Sequence, residues 1–181
     1  MALITAIAFD VDRNLGRAYN EIMSTLRPED WACFLDHDAV FTSRRWYSQL
    51  LEAIAANPQA GLITAVTNRI GRKSQIAPGA PDGHDMLEHF AFGAKLAAEH
   101  GASVRDVTRD SPISGVVMCL SHETWEAMGR FKDGMMGVDN RAHRDVAAIG
   151  KRVLLMPGLY VQHFYRANGV GHPGAPKAAP R

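Results

Sequence analysis

The chain has 181 residues, 46% of them hydrophobic and 22% charged, which suits one core of ordinary size and leaves too little for a second full domain. Its formal net charge is +1 with the basic residues scattered, so the massed basic face of a nucleic-acid binder is excluded. No run approaches about 18 consecutive apolar residues, and Met1 to Phe9 is too short for a signal peptide, so no transmembrane segment is expected and a cytoplasmic protein is. Cys33 and Cys119 lie inside apolar runs and read as small buried hydrophobes of a reducing compartment.

In chain order, apolar runs alternate with stretches of helical period. Leu3 to Phe9 predicts a strand and Gly16 to Leu26 a helix, with Ala18, Ile22 and Leu26 recurring at i+4. Trp31 to Leu35 is the next strand. Thr42 or Ser43 can cap a helix that stacks Trp46, Leu50 and Ile54 and stops at Asn57-Pro58. Gly61 to Thr67 predicts a third strand. Asn68 to Gly83 is basic, then rich in Pro and Gly, and without period, which predicts a mobile loop suited to a lid. Asp82 can cap a helix to about Glu99 with Met86, Leu87, Phe90, Ala94 and Ala97 inward. Ile113 to Leu120 is a strand, and Ser121 caps a short helix that Gly129 ends. A helix starts at Val138-Asp139-Asn140 with Val138, Ala142, Val146 and Ile149 in one stripe, and a last strand, broken at Pro157, runs from Lys151 to Gln162. This alternation predicts one α/β domain over residues 1–166, a three-layer α/β/α sandwich with a mostly parallel central sheet, followed by a flexible tail at 167–181.

Ligands of such a sheet gather beyond the carboxyl ends of its strands. Asp10 and Asp12 follow the first strand, Asp36 and Asp38 the second, Asn68 the third, and His163 the last. Asp36 and Asp38 attract most interest, because two acids at the end of an apolar strand have no packing role there and can hold a hard cation. Residues two apart on a straight strand are about 6.6 Å apart, too far for easy joint chelation, so either the chain bends or one acid serves another group. His163 can add a nitrogen, which favours manganese over magnesium. The plain alternative is a solvated acid-X-acid turn.

The Asp36-His37-Asp38 strand end, the Ile113-Ser114-Gly115 strand, the Gly137-Val138-Asp139-Asn140 helix start followed by Arg144, and the Gly150-Lys151-Arg152-Val153 to His163 segment together resemble a family 2 glycosyltransferase of the GT-A fold. Asn14-Leu15-Gly16-Arg17-Ala18-Tyr19-Asn20 resembles the segment that leads into the helix before the motif strand. The resemblance implies a nucleotide-diphosphate sugar as donor, a uridine diphosphate sugar being the commonest, with Mn2+ or Mg2+ as cofactor. It places metal and diphosphate on Asp36, Asp38 and His163, further donor contacts on Asn14, Arg17, Asn68, Ser114 and Gly115, and the catalytic base of an inverting transfer on Asp139. The acceptor is unknown. The motif strand begins as early as Trp31 and Val138 stands where a glutamate is common, which implies a short, N-terminally truncated member with a rebuilt base pocket and a sheet edge open to a second copy.

Two other readings stay open. Phe9-Asp10-Val11-Asp12 resembles the nucleophile strand of haloacid dehalogenase-like phosphatases, although Arg13-Asn14 replaces the expected Gly-Thr. A non-catalytic nucleotide-sugar-binding module would keep the metal site and show no turnover. His37, His84, His89 and His100 read as surface residues, His143 as a phosphate contact or a solvated one, and Trp46, Tyr47 and Trp125 as core.

Overall fold

The computed structural model describes residues 1–164, so the expected tail at 167–181, with Tyr165 and Arg166, lies outside the described residues. In chain order the elements are β1 (Leu3–Ala6), α1 (Leu15–Met23), β2 (Trp31–Leu35), β3 (Ala39–Phe41), α2 (Trp46–Ala56), β4 (Ala60–Thr67), α3 (Met86–His100), β5 (Arg105–Asp106), β6 (Val117–Ser121), α4 (His122–Ala127), α5 (Val138–Ala148) and β7 (Arg152–His163). The α/β class is as expected, and the sheet is mixed where a mostly parallel one was expected. Its seven strands run β1-β2-β6-β4-β7-β3, with β5 also on β7, and only β1–β2 and β4–β7 pair in parallel. The cause is β6, which inserts between β2 and β4 and runs against both, together with short β3 and β5 folded back onto β7.

Alternation along the strands gives the sheet two apolar faces. Ala32 and Phe34 of β2 with Met118 and Leu120 of β6 face one core, where Met23, Trp125, Ala142 and Val146 from α1, α4 and α5 cover them. Trp31 and Cys33 with Val117 and Cys119 face the other, under Leu50, Ala53 and Ile54 of α2. Both cysteines are free, buried and directly opposite each other across β2 and β6. Each large side chain that is fully removed from water, such as Phe34 or Leu62, contributes about 1.5–3 kcal/mol to the fold.

Helix signals in the sequence hold at several ends. The Asn14 side chain caps α1 by accepting from the Arg17 amide, and the Ser121 hydroxyl caps α4 by accepting from Thr124. The cap expected at Thr42 or Ser43 is not made. Thr42 donates to the Tyr160 carbonyl and Ser43 receives the Arg45 amide, while α2 begins one residue later. The cap of α3 is Asp85, not Asp82.

The face of α3 also differs from expectation. Leu87 is 77% exposed and Phe90 42%, whereas His89 and Gly93 are buried and Phe92 and Leu96 pack on the core. The helix carries two apolar stripes, and the one facing the sheet includes a histidine. His89 sits between the Tyr160 hydroxyl (2.7 Å) and the Gly83 carbonyl (3.0 Å). The other stripe meets Phe41 and Trp46 across a surface groove of about 700 Å3. The first strand likewise ends three residues early, because β1 has no pairing beyond Ala6–Phe34, and Phe9 and Val11 are left 80% exposed. β7 runs through Pro157 and absorbs it as a register shift against β4 rather than breaking.

Candidate metal and acid site

β2 ends at Leu35, and the chain then turns sharply, the Ala39 amide donating to the Asp36 carbonyl (3.1 Å) before β3 starts. This turn removes the spacing problem of a straight strand. With β3 pairing antiparallel to the end of β7, Ala39 stands opposite His163, and Asp36, Asp38 and His163 each offer an atom within 4.8 Å of the others. His163 Nε2 lies 3.2 Å from Asp38 Oδ1 and 3.8 Å from Asp36 Oδ2. Two ligands held about 2.1 Å from one cation at right angles sit about 3 Å apart, so the Asp38–His163 pair is already at coordinating separation.

The tautomer of His163 sharpens this geometry. Its Nδ1 is 2.8 Å from the Arg69 carbonyl, which can only accept, so Nδ1 carries the proton. In the neutral ring Nε2 is then a lone pair directed at two carboxylates, an arrangement that a proton or a metal cation on Nε2 satisfies. The ring is 4% exposed, while Asp36 and Asp38 are 37% and 32% exposed. Burial in the cavity pushes the Asp36 carboxyl up to about 6, against the pull of His163. Two oxygens and one nitrogen can hold a divalent ion of the Mn2+ or Mg2+ type, and such a donor set does not choose sharply among divalent metals.

A cavity of about 540 Å3 opens over these groups, and Tyr19, Ser114, Gly115, Met136, Asp139 and Asn140 are among its other walls. Asp139 stands in the first turn of α5, after Gly137, which supplies the left-handed conformation (φ 74°) that starts the helix. Its Oδ2 accepts from the Gly115 amide (2.8 Å) and its Oδ1 from the Asn140 amide (2.7 Å). Position 115 admits only glycine without a shift, since a Cβ there would lie 3.0 Å from the Asp139 Cβ. Oδ1 also accepts from the Asn140 side-chain amide (3.0 Å), so Oδ2, with one donor, is the oxygen that keeps a further lone pair.

Of the residues expected at the site, Asp36, Asp38, Ser114, Gly115, Asp139 and His163 line one cavity. Asn14, Arg17 and Asn68 do not line it. Asn14 caps α1 and also receives the Gly134 amide (2.9 Å). Arg17 is bidentate on Asp10 (2.6 and 2.9 Å) and reaches Asp12 (2.7 Å). Asn68 is buried and its Oδ1 receives the His163 amide (2.8 Å), so it holds the His163 backbone.

The segment expected to be a mobile lid is tied down instead. A 3-10 turn at Lys73–Gln75 lies inside it, Ile76 bridges Thr67, and Gln75 and Ala77 are buried. His143 is also buried rather than on a phosphate. It takes the Ile113 amide on Nδ1 (3.4 Å), faces the Thr108 carbonyl with Nε2 (3.2 Å), and burial lowers its pKa, so it braces the loop that leads to Ser114. Sequence reading missed Gln75, gave Asn140 no role beyond its place in the helix-start motif, and offered Arg72 only as part of a basic cluster, with Arg69 and Lys73, suited to a single phosphate.

The chain matches no protein-family model and no curated protein. Among the described residues, no helix is long and apolar enough to cross a membrane.

Proposed function

We propose that the protein is a metal-dependent, inverting glycosyltransferase of GT-A type that takes a nucleotide-diphosphate sugar, in the first instance a uridine diphosphate sugar. The observation that supports this reading is the placement of Asp36, Asp38 and His163 across one cavity from Asp139 and the Gly115 amide. A divalent cation held by the three ligands would supply neutralising charge for a diphosphate leaving group. Asp139, oriented by Gly115 and Asn140, takes the proton of the acceptor hydroxyl as it attacks the anomeric carbon from the face opposite the leaving group. The sheet-end turn and the buried His163 keep the ligands in place before the substrate arrives.

One observation favours a second reading, a nucleotide-sugar-binding module without turnover: both oxygens of Asp139 already serve backbone amides. The Asp139→Asn variant separates the two, with uridine diphosphate-sugar turnover followed beside uridine diphosphate binding. The transferase reading expects turnover to fall by about 100-fold or more with binding kept, and no turnover in the wild type would leave the binding module. The phosphatase reading loses support, because both oxygens of Asp10 are engaged by Arg17 and by the Asp12 and Asn14 amides.

A further inference from the structure

Residues 68–75 touch both halves of the site without supplying a ligand or an acid. At one end, the Asn68 side chain accepts the His163 amide (2.8 Å) and the Arg69 carbonyl accepts from His163 Nδ1 (2.8 Å). In the middle, Arg72 Nη2 donates to Asn140 Oδ1 (2.8 Å), and Asn140 in turn donates to Asp139 Oδ1 from its side chain (3.0 Å) and its amide (2.7 Å). At the other end, buried Gln75 clasps Ser114, accepting its amide (2.7 Å) and donating to its carbonyl (3.1 Å), beside the Gly115 amide that holds Asp139. Gln75 is anchored from below by Thr64 of β4 (3.2 Å). Arg69 and Arg72 are three positions apart, so at most about 11 Å of extended chain joins the two contacts.

We propose that this segment is a brace that couples the metal ligand His163 to the acid Asp139, with Arg72 and Gln75 as its positioning residues. It rests on the reading of Asp36, Asp38 and His163 as a cation site. Fixing the His163 ring on a cation fixes the Arg69 carbonyl, and the short segment passes that order through Arg72 to Asn140 and through Gln75 to Ser114. By reciprocity, loosening the Asp139 end of the brace weakens the metal end.

The sign of one substitution separates this from simple electrostatics. Arg72 is a cation whose neighbour Gly71 lines the site cavity, so removing its charge should tighten a divalent ion by Coulomb's law. The brace predicts the opposite. In calorimetric titration with Mn2+ alone, Arg72→Ala weakens binding by about three- to tenfold, Arg72→Lys recovers part of the loss, and Lys73→Ala, which removes an adjacent exposed charge, stays within about twofold or tightens. In hydrogen exchange, Mn2+ slows the Gly115 and Asn140 amides in the wild type and does so less in Arg72→Ala. Unchanged or tighter Mn2+ binding by Arg72→Ala overturns the brace, as does Gly115 exchange indifferent to Mn2+. A lower unfolding temperature for Arg72→Ala with Mn2+ affinity intact assigns Arg72 to stability alone and also overturns it. If the wild type binds no Mn2+, the cation site and the brace fall together; if the wild type binds and the variants do not differ, only the brace falls.

Discussion

The chain contains two acid-X-acid pairs after parallel strands, and they have opposite fates. Asp10 and Asp12 follow β1 and are closed by a resident cation: Arg17 grips Asp10 through both oxygens and reaches Asp12, which holds the Asp10 carboxyl below its ordinary value of 3.8. Asp36 and Asp38 follow β2 and face His163, whose Nδ1 proton is spent on Arg69. Burial there pushes Asp36 up to about 6. The pattern of acids is the same in both, so the difference lies in what each turn brings within reach. Only the second pair leaves carboxylates concentrated in a cavity with room for a cation from solution.

The largest expected effect tests that contrast. Asp38→Ala weakens Mn2+ binding by about 100-fold or more and His163→Ala by about 10- to 100-fold, whereas Arg17→Ala leaves it within about twofold, all read by calorimetry. Equal losses at Arg17 and Asp38 would erase the distinction between the pairs.

Acidity comes next. Metal needs Asp36 ionised, so Mn2+ affinity should be flat above pH 7 and fall by up to about tenfold per unit below the Asp36 value of about 6. In the metal-free protein the two pairs should also bias stability in opposite directions. Asp36 binds its proton more tightly in the folded state than at its ordinary 3.8, so its contribution is full below that value and lost as pH rises through about 6. Asp10 is lowered, so its contribution is full above 3.8 and lost on further acidification. Urea unfolding between pH 3 and 7, in Asp36→Asn and Asp10→Asn beside the wild type, resolves the two slopes.

A smaller effect is expected at Gly115→Ala, where the new Cβ meets Asp139 at 3.0 Å. Stability should drop by about 1–3 kcal/mol in denaturant titration. A comparable cost attends Asn20→Ala, outside the cavity lining, because Asn20 receives Trp125 Nε1 and the Phe131 amide on one oxygen (2.8 and 3.0 Å); about 1–3 kcal/mol is expected for the donors left unpaired.

Much of the scaffold was legible where local chemistry and burial agree. Trp31–Leu35, the Ser121 cap and the Val138–Ala142–Val146 stripe could be read because one physical cause dominates each. β3 was not, since three residues pairing with β7 leave no periodic signal. α3 misled because its two apolar stripes compete and the buried one includes His89, satisfied by Tyr160 across more than 70 positions of sequence. The candidate ligands were visible as strand-end polar residues, while their convergence depends on the Asp36–Ala39 turn and the β3–β7 register. Residues 68–75 resembled a loose loop because their order comes from Gln75, Arg72 and Asn68 bonding to distant segments, which periodicity cannot report.

The central claim is that the second acid pair, with His163, is a cation site serving a nucleoside diphosphate. Calorimetric titration of uridine diphosphate with and without Mn2+, on wild type and Asp38→Ala, tests it most directly. The account predicts metal-dependent binding in the wild type that is lost in the variant. Binding that ignores Mn2+, or survives Asp38→Ala unchanged, would contradict it.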